Sequence, residues 1–140
     1  MKKSAVFLAV LLLAAQAPAS GGFEADVVAV VDGDTFQFEA GLINVIIRGR
    51  CRMLRYNAPE LAGAERAEGL RAKEKLGGLI GGKTVRVEAK GTDKYGRWLC
   101  EVWLPDGTNV NDIMREHLKD YMRRDMFENR WKTLPPLDTS

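Results

Sequence analysis

The sequence predicts an α+β, mainly β fold: five short strands closing into a small barrel, with one helix between the third and fourth strands and another after the fifth. Three observations predict it. Apolar and polar residues alternate with period two in five separate stretches. The first three are joined only by the turn residues Asp32-Gly33-Asp34 and Glu39-Ala40-Gly41, which makes them an antiparallel meander. Two stretches carry helical spacing instead, one rich in Ala, Glu, Lys and Leu after the third strand and one with an apolar stripe after the fifth. A chain of 140 residues is long enough for one such domain.

The chain opens with Lys2-Lys3, an apolar run from Ala5 to Ala15, and the small residues Ala17-Pro18-Ala19-Ser20. This is the pattern of a secretory signal peptide, too short to span a bilayer as a mature helix. Cleavage after Ala19 is expected, because cleavage after Ala17 would leave Pro18 first. The expectation is therefore a signal peptide at 1–19, a folded domain at 20–128 and a low-order tail at 129–140. The protein would be exported, periplasmic or secreted, with no stable membrane association afterwards and a monomer by default. The whole chain has 21 Lys and Arg against 19 Asp and Glu. Losing Lys2 and Lys3 leaves the remainder neutral, which excludes a strongly basic protein that coats nucleic acid. Any anion site must be local.

The first strand is expected from Phe23 to Val31, with Val27, Ala29 and Val31 on one face. The second runs from Thr35 to Glu39, with Phe36 and Phe38 inward, and the third from Leu42 to Arg55. A helix from Leu61 to about Ile80 would use Ala67, Leu70, Leu76 and Ile80 as its apolar face, with Gly81-Gly82 as a stop. The fourth strand, Thr84 to Lys90, points Val85, Val87 and Ala89 inward. After a polar loop, the fifth, Arg97 to Leu104, shares Trp98, Cys100, Val102 and Leu104 on one face. Asn111 is a candidate N-cap for a last helix to about Phe127, striped with Ile113, Met114, Leu118, Tyr121 and Met122. This order of elements suits a five-stranded OB-type barrel, an architecture whose strand faces and loops often hold nucleic acid.

Within the third strand, Ile47, Cys51 and Met53 share one face, and Arg48, Arg50 and Arg52 the other. Three like charges in a row repel unless an anion offsets them. The strand runs into Asn57-Ala58-Pro59-Glu60, where Pro59 breaks the ladder and gathers an amide, a carbonyl and a carboxylate at the strand end. A cationic strip leading into oxygen donors suits a phosphate together with a hard metal ion. Asp32-Gly33-Asp34-Thr35 by itself is ordinary turn chemistry, and Arg97 by itself is an ordinary strand start.

Taken together, Val31-Asp-Gly-Asp-Thr35, Arg52 with Asn57-Ala-Pro-Glu60, and Asp93-Lys-Tyr-Gly-Arg97 resemble the thermonuclease (staphylococcal nuclease-like) family. Gly107-Thr-Asn-Val-Asn111-Asp also fits that family's turn and helix start. The resemblance covers roughly Asp26 to Leu118. It implies an exported, calcium-dependent nuclease that hydrolyses DNA and RNA with little sequence preference and leaves 3′-phosphates. It implies that one calcium ion binds Asp34, Asn57 and the Ala58 backbone carbonyl, with Asp32 behind them. Glu60 matches the general base, and Arg52 and Arg97 match the arginines that hold the scissile phosphate. Lys94 and Tyr95 match positions near the bound nucleotide, and Tyr121 is the nearest aromatic residue able to close the pocket. Asn57 stands where the family often has Asp, which implies weaker calcium binding. The residue types suit the chemistry: a phosphodiester anion repels hydroxide, so attack needs positive charge around phosphorus and a base for the water.

With Arg52 and Arg97 converging on one phosphate, Cys51 and Cys100 would both face the barrel interior. They are then a candidate disulfide or a pair of core thiols. Two Cys and the single His117 do not make a zinc site. A competing reading is a non-catalytic OB-type nucleic-acid-binding module with a degenerate metal site. Retention of Asp34, Arg52, Glu60 and Arg97 together argues against it, since no barrel core needs them. A small exported interaction domain is a third reading, and it leaves the arginine strip unexplained.

Overall fold

The computed structural model describes residues 21–132. The expected signal peptide and the segment from 133 onward lie outside them. Five strands form a closed barrel in the order β1-β2-β3-β5-β4: β1 Phe23–Val30, β2 Thr35–Leu42, β3 Val45–Met53, β4 Thr84–Thr92 and β5 Trp98–Trp103. A 3-10 turn at Gly63–Glu65 leads into α1, Arg66–Ile80, and α2 runs from Val110 to Lys132. This is the OB-type barrel that the sequence predicts. All neighbours are antiparallel except β3 and β5, which pair parallel through Cys51–Trp98, Arg52–Leu99 and Met53–Cys100.

The alternation in β3 and β5 holds. Cys51, Met53, Cys100 and Val102 are buried, while Arg48 and Arg50 face solvent. In β1 it breaks. A bulge between Val27 and Ala29 shifts the register, so Ala25 and Val27 are buried, Val30 reaches the core, and Ala29 and Val31 do not. An extra residue in one strand flips the faces beyond it. In β4 a second bulge lies between Ala89 and Gly91, and Ala89, expected inward, is exposed although it pairs with the buried Cys100.

The β2–β3 hairpin is longer than expected. Its strands pair out to Leu42–Val45, and the turn falls at Ile43-Asn44 rather than Glu39-Ala40-Gly41. Ile43 sits at φ +54° and is almost fully exposed. A β-branched residue rarely adopts that conformation, so the turn carries no sequence signature.

The helices also differ from their expected faces. In α1 the buried residues are Gly69, Ala72, Leu76 and Ile80, whereas Ala67 and Leu70 face outward. The cap of α2 is Asn109, whose Oδ1 accepts the Asp112 backbone N–H at 3.0 Å. Asn111, expected as the cap, is fully buried. Its Nδ2 donates to the carbonyls of Cys100 and Leu54, and its Oδ1 accepts the Val102 N–H. It ties α2 to the barrel wall. The helix continues past Phe127 to Lys132. Met114 is buried, but Met122, Met126 and Phe127 are exposed, so only the first turns of α2 pack on the barrel.

Candidate active site

One end of the barrel carries the site. β2 begins at Thr35, opposite Arg52 on β3, so the β1–β2 turn lies against the end of the arginine strip. Asp34 is fixed there from several sides. Its carbonyl accepts the Met53 N–H at 2.8 Å, its Oδ1 accepts the Thr35 hydroxyl at 2.8 Å, and its Oδ2 accepts the Ala58 N–H at 2.9 Å. The Asp34 N–H donates to Asp32 Oδ1 at 3.0 Å. Burial raises the Asp32 carboxyl above the usual carboxylate range, and the adjacent Asp34 charge adds to the rise.

Arg52 donates from Nη2 to the Asn57 amide oxygen, and its guanidinium stands 3.8 Å from Asp34 Oδ2. The parallel pairing of β3 with β5 sets Leu99 opposite Arg52, so Arg97, two residues earlier at the entry to β5, lines the same cleft as Arg52. The turn before β5 locks Arg97 in place. Asp93 Oδ1 accepts the backbone N–H of Tyr95 at 2.9 Å and of Arg97 at 3.0 Å, and its Oδ2 accepts Arg97 Nε at 2.7 Å. Desolvation in the turn pushes the Asp93 carboxyl up, but the hydrogen bonds from Arg97 and Tyr95 outweigh it and hold the group below the usual range.

Glu60 follows Pro59 and is exposed. Its backbone N–H donates to Glu65 Oε2 at 3.0 Å. Helix α1 presses on the same segment through Gly69, where a Cβ would stand 2.2 Å from the Glu60 carbonyl oxygen. Gly33 is equally tight, with a Cβ there meeting the Cβ atoms of Ala72 at 2.6 Å and Ala58 at 2.7 Å. These two glycines let α1 close onto the site.

A cleft of about 670 Å³ opens among these groups. Asp32, Asp34, Arg52, Asn57, Ala58, Glu60, Arg97 and Tyr121 all line it, so eight of the ten site residues singled out in the sequence share one cavity. Lys94 and Tyr95 are not among its lining residues. They form a stack in which Lys94 Nζ lies 5.0 Å and the Arg97 guanidinium 5.4 Å from the Tyr95 ring centre. Glu65, Leu118 and Met122 also line the cleft and carry no motif. Gly69 had a legible signal, a glycine inside a helical pattern.

Asp32, Asp34, Asn57 and Ala58 line the cleft and can offer oxygen donors, a set that fits a hard cation rather than zinc. Paired acidic groups at Asp32 and Asp34, one already raised by burial and its neighbour, would be relieved by a nearby cation. Tyr56 is buried, with its hydroxyl lacking a hydrogen-bond partner among the described residues.

Residues 50–118 match the family model described as staphylococcal nuclease homologue. That segment belongs to the staphylococcal nuclease-like, or thermonuclease, family. The chain as a whole is 35% identical over 125 residues to Protein ParB of Escherichia coli, covering 81% of this chain and 64% of that one. It is 35% identical over 117 residues to the micrococcal nuclease of Shigella flexneri, covering 76% and 62%. It is 38% identical over 88 residues to an uncharacterized endonuclease of Escherichia coli O157:H7, covering 63% and 53%. The chain thus spans between 53% and 64% of the length of these relatives.

Proposed function

We propose that this thermonuclease-like domain is a calcium-dependent nuclease that hydrolyses phosphodiester bonds of DNA and RNA with little sequence preference. The observation that carries the reading is the convergence of two guanidiniums, Arg52 and Arg97, with the Glu60 carboxylate around one cleft. No barrel needs that arrangement, and a phosphodiester does. Each guanidinium is held by a side chain of its own, Arg52 by Asn57 and Arg97 by Asp93, so both are oriented before substrate arrives.

The chemistry follows from these groups. A phosphodiester entering the cleft binds its non-bridging oxygens to Arg52 and Arg97, whose planar forks suit them. Glu60 accepts a proton from a water on the far side of the phosphorus, and the oxygen of that water attacks. The bond to the 5′ oxygen breaks, that oxygen takes a proton from solvent water as Glu60 gives its own back to solvent, and a 3′-phosphate remains. Negative charge grows on the phosphoryl oxygens in the transition state, where the arginines stabilise it most. Asp34, Asn57 and the Ala58 carbonyl would hold a calcium ion, with Asp32 supporting Asp34. Bound there, it would add positive charge beside the same phosphate. Tyr121, half-buried on α2, faces the cleft as an apolar surface for a base.

Export, a monomeric state and release from the membrane belong to the same proposal, supported by the leader sequence and the small neutral domain. The test compares the parent with Glu60→Gln on single-stranded DNA, first in calcium and then in chelator. Calcium-dependent cleavage that falls by about 10²–10³ in the variant supports the reading. A folded parent that binds DNA but never cleaves it at high calcium would return the assignment to a binding module.

A further inference from the structure

A second cleft, of about 360 Å³, adjoins the first and shares Arg52, Asn57 and Leu118 with it. Its remaining walls include Leu99 and Arg55. The two clefts differ in charge. Four carboxylates, Asp32, Asp34, Glu60 and Glu65, line the first. The second is lined by two arginines, with no carboxylate among the described residues. Arg55 is exposed, and it sits at φ +54°, a left-handed conformation that glycine or asparagine adopts at less cost. The turn from β3 into Asn57 demands that backbone, and the sequence fills it with a long cation.

We infer that this second cleft is a phosphate subsite, in which Arg55 binds the phosphate next along the strand from the one held by Arg52 and Arg97. The inference rests on the nuclease reading and deepens it. A polyanion leaving Arg52 toward the carboxylates meets like charge, whereas toward Arg55 it meets a cation with no acid competing for it. Leu99 and Leu118 supply an apolar wall for the intervening sugar or base. Because the contact is to the backbone, it adds affinity without sequence preference. Arg55 makes the enzyme favour a strand over a dinucleotide.

The test measures binding of a labelled thymidine dinucleotide and of a longer oligothymidylate in chelator, across a salt series, by anisotropy. The proteins are the parent, Arg55→Gly, which suits the left-handed backbone, and Arg55→Lys, which keeps the charge. Arg55→Gly should bind the longer probe more weakly, with a log–log salt slope smaller by about 0.7. Its dinucleotide affinity should match the parent's, and Arg55→Lys should restore the slope. Circular dichroism should show Arg55→Gly folded. Unchanged binding of the longer probe in a parent that binds it overturns the subsite alone. Equal loss on both probes places Arg55 at the first phosphate and overturns it too. A parent that binds neither probe overturns the nucleic-acid reading and this inference together.

Discussion

Arg52 donates a hydrogen bond from Nη2 to the amide oxygen of Asn57, while its guanidinium stands 3.8 Å from Asp34 Oδ2. The side chain expected to grip phosphate therefore touches both side chains expected to hold the metal. The proposed anion and cation sites would thus share Arg52's contacts with Asn57 and Asp34.

Replacing that amide should retune both. We predict that Asn57→Asp binds calcium tighter by about an order of magnitude or more, since a hard cation gains a full negative charge at short range. Calorimetric titration of parent and variant measures this. Equal affinities would remove Asn57 from the metal site.

Gly69 leaves no room for a side chain, because a Cβ would stand 2.2 Å from the Glu60 carbonyl. Gly69→Ala should push the Pro59-Glu60 segment away from α1. We predict a fall of roughly 10²-fold in kcat, as expected for a base displaced by about 1 Å, with a stability loss of about 1–3 kcal/mol from overpacking. Gly77 is the control, since a Cβ there meets nothing within 4 Å. Gly77→Ala should keep kcat and gain roughly 0.5–1 kcal/mol from helix propensity. Indistinguishable kcat values would show that Gly69 serves packing alone.

Cys51 and Cys100 are fully buried free thiols with their sulfurs 2.7 Å apart. The Cys100 sulfur, burial and its charge push the Cys51 thiol far up, so the thiolate needed for exchange is scarce in the folded protein. We predict two behaviours. Protein folded under reduction keeps both thiols, unreactive until it is denatured. Protein folded with a glutathione couple forms the bridge and gains about 4 kcal/mol in the chain-entropy model. Thiol titration and denaturant midpoints measure both, and free thiols after oxidative folding would refute the bridge.

Tyr56 buries a hydroxyl without a partner among the described residues. Burial first, then the charges of Asp34 and Asp32, push its phenol above the ordinary tyrosine value. A raised folded pKa contributes stability that is complete below the unfolded value, near pH 10, and lost as pH rises beyond it. Tyr56→Phe should therefore gain about 1 kcal/mol at neutral pH and lose part of the parent's alkaline destabilisation. Urea midpoints from pH 7 to about pH 11 test this. A less stable variant at pH 7 would reveal a partner for the hydroxyl, such as a buried water.

Much of the site was legible because its signals are local. Alternation put Arg52 and Cys51 on opposite faces, and Pro59 marked the end of the strand. Asn111 was misread for a physical reason. A short polar residue before a helix looks the same whether it caps its own backbone or reaches across to another strand, and here Asn109 does the first while Asn111 does the second. Glu65 and Met122 carry no motif because they enter the cleft only through the packing of α1 and α2.

By itself the sequence determined the barrel, the faces of its third and fifth strands, and the set of chemical groups, since period-two patterning and turn chemistry act over a few residues. Only the tertiary structure decided how those groups meet. Barrel closure pairs β3 parallel to β5, which brings Arg97 and Arg52 to one cleft across a long stretch of chain. A bulge in β1 reverses the faces that alternation assigns beyond it, and Gly33 and Gly69 let α1 close onto the strand end. These are contacts between segments distant in sequence, set by how the backbone closes on itself, and no local pattern encodes them.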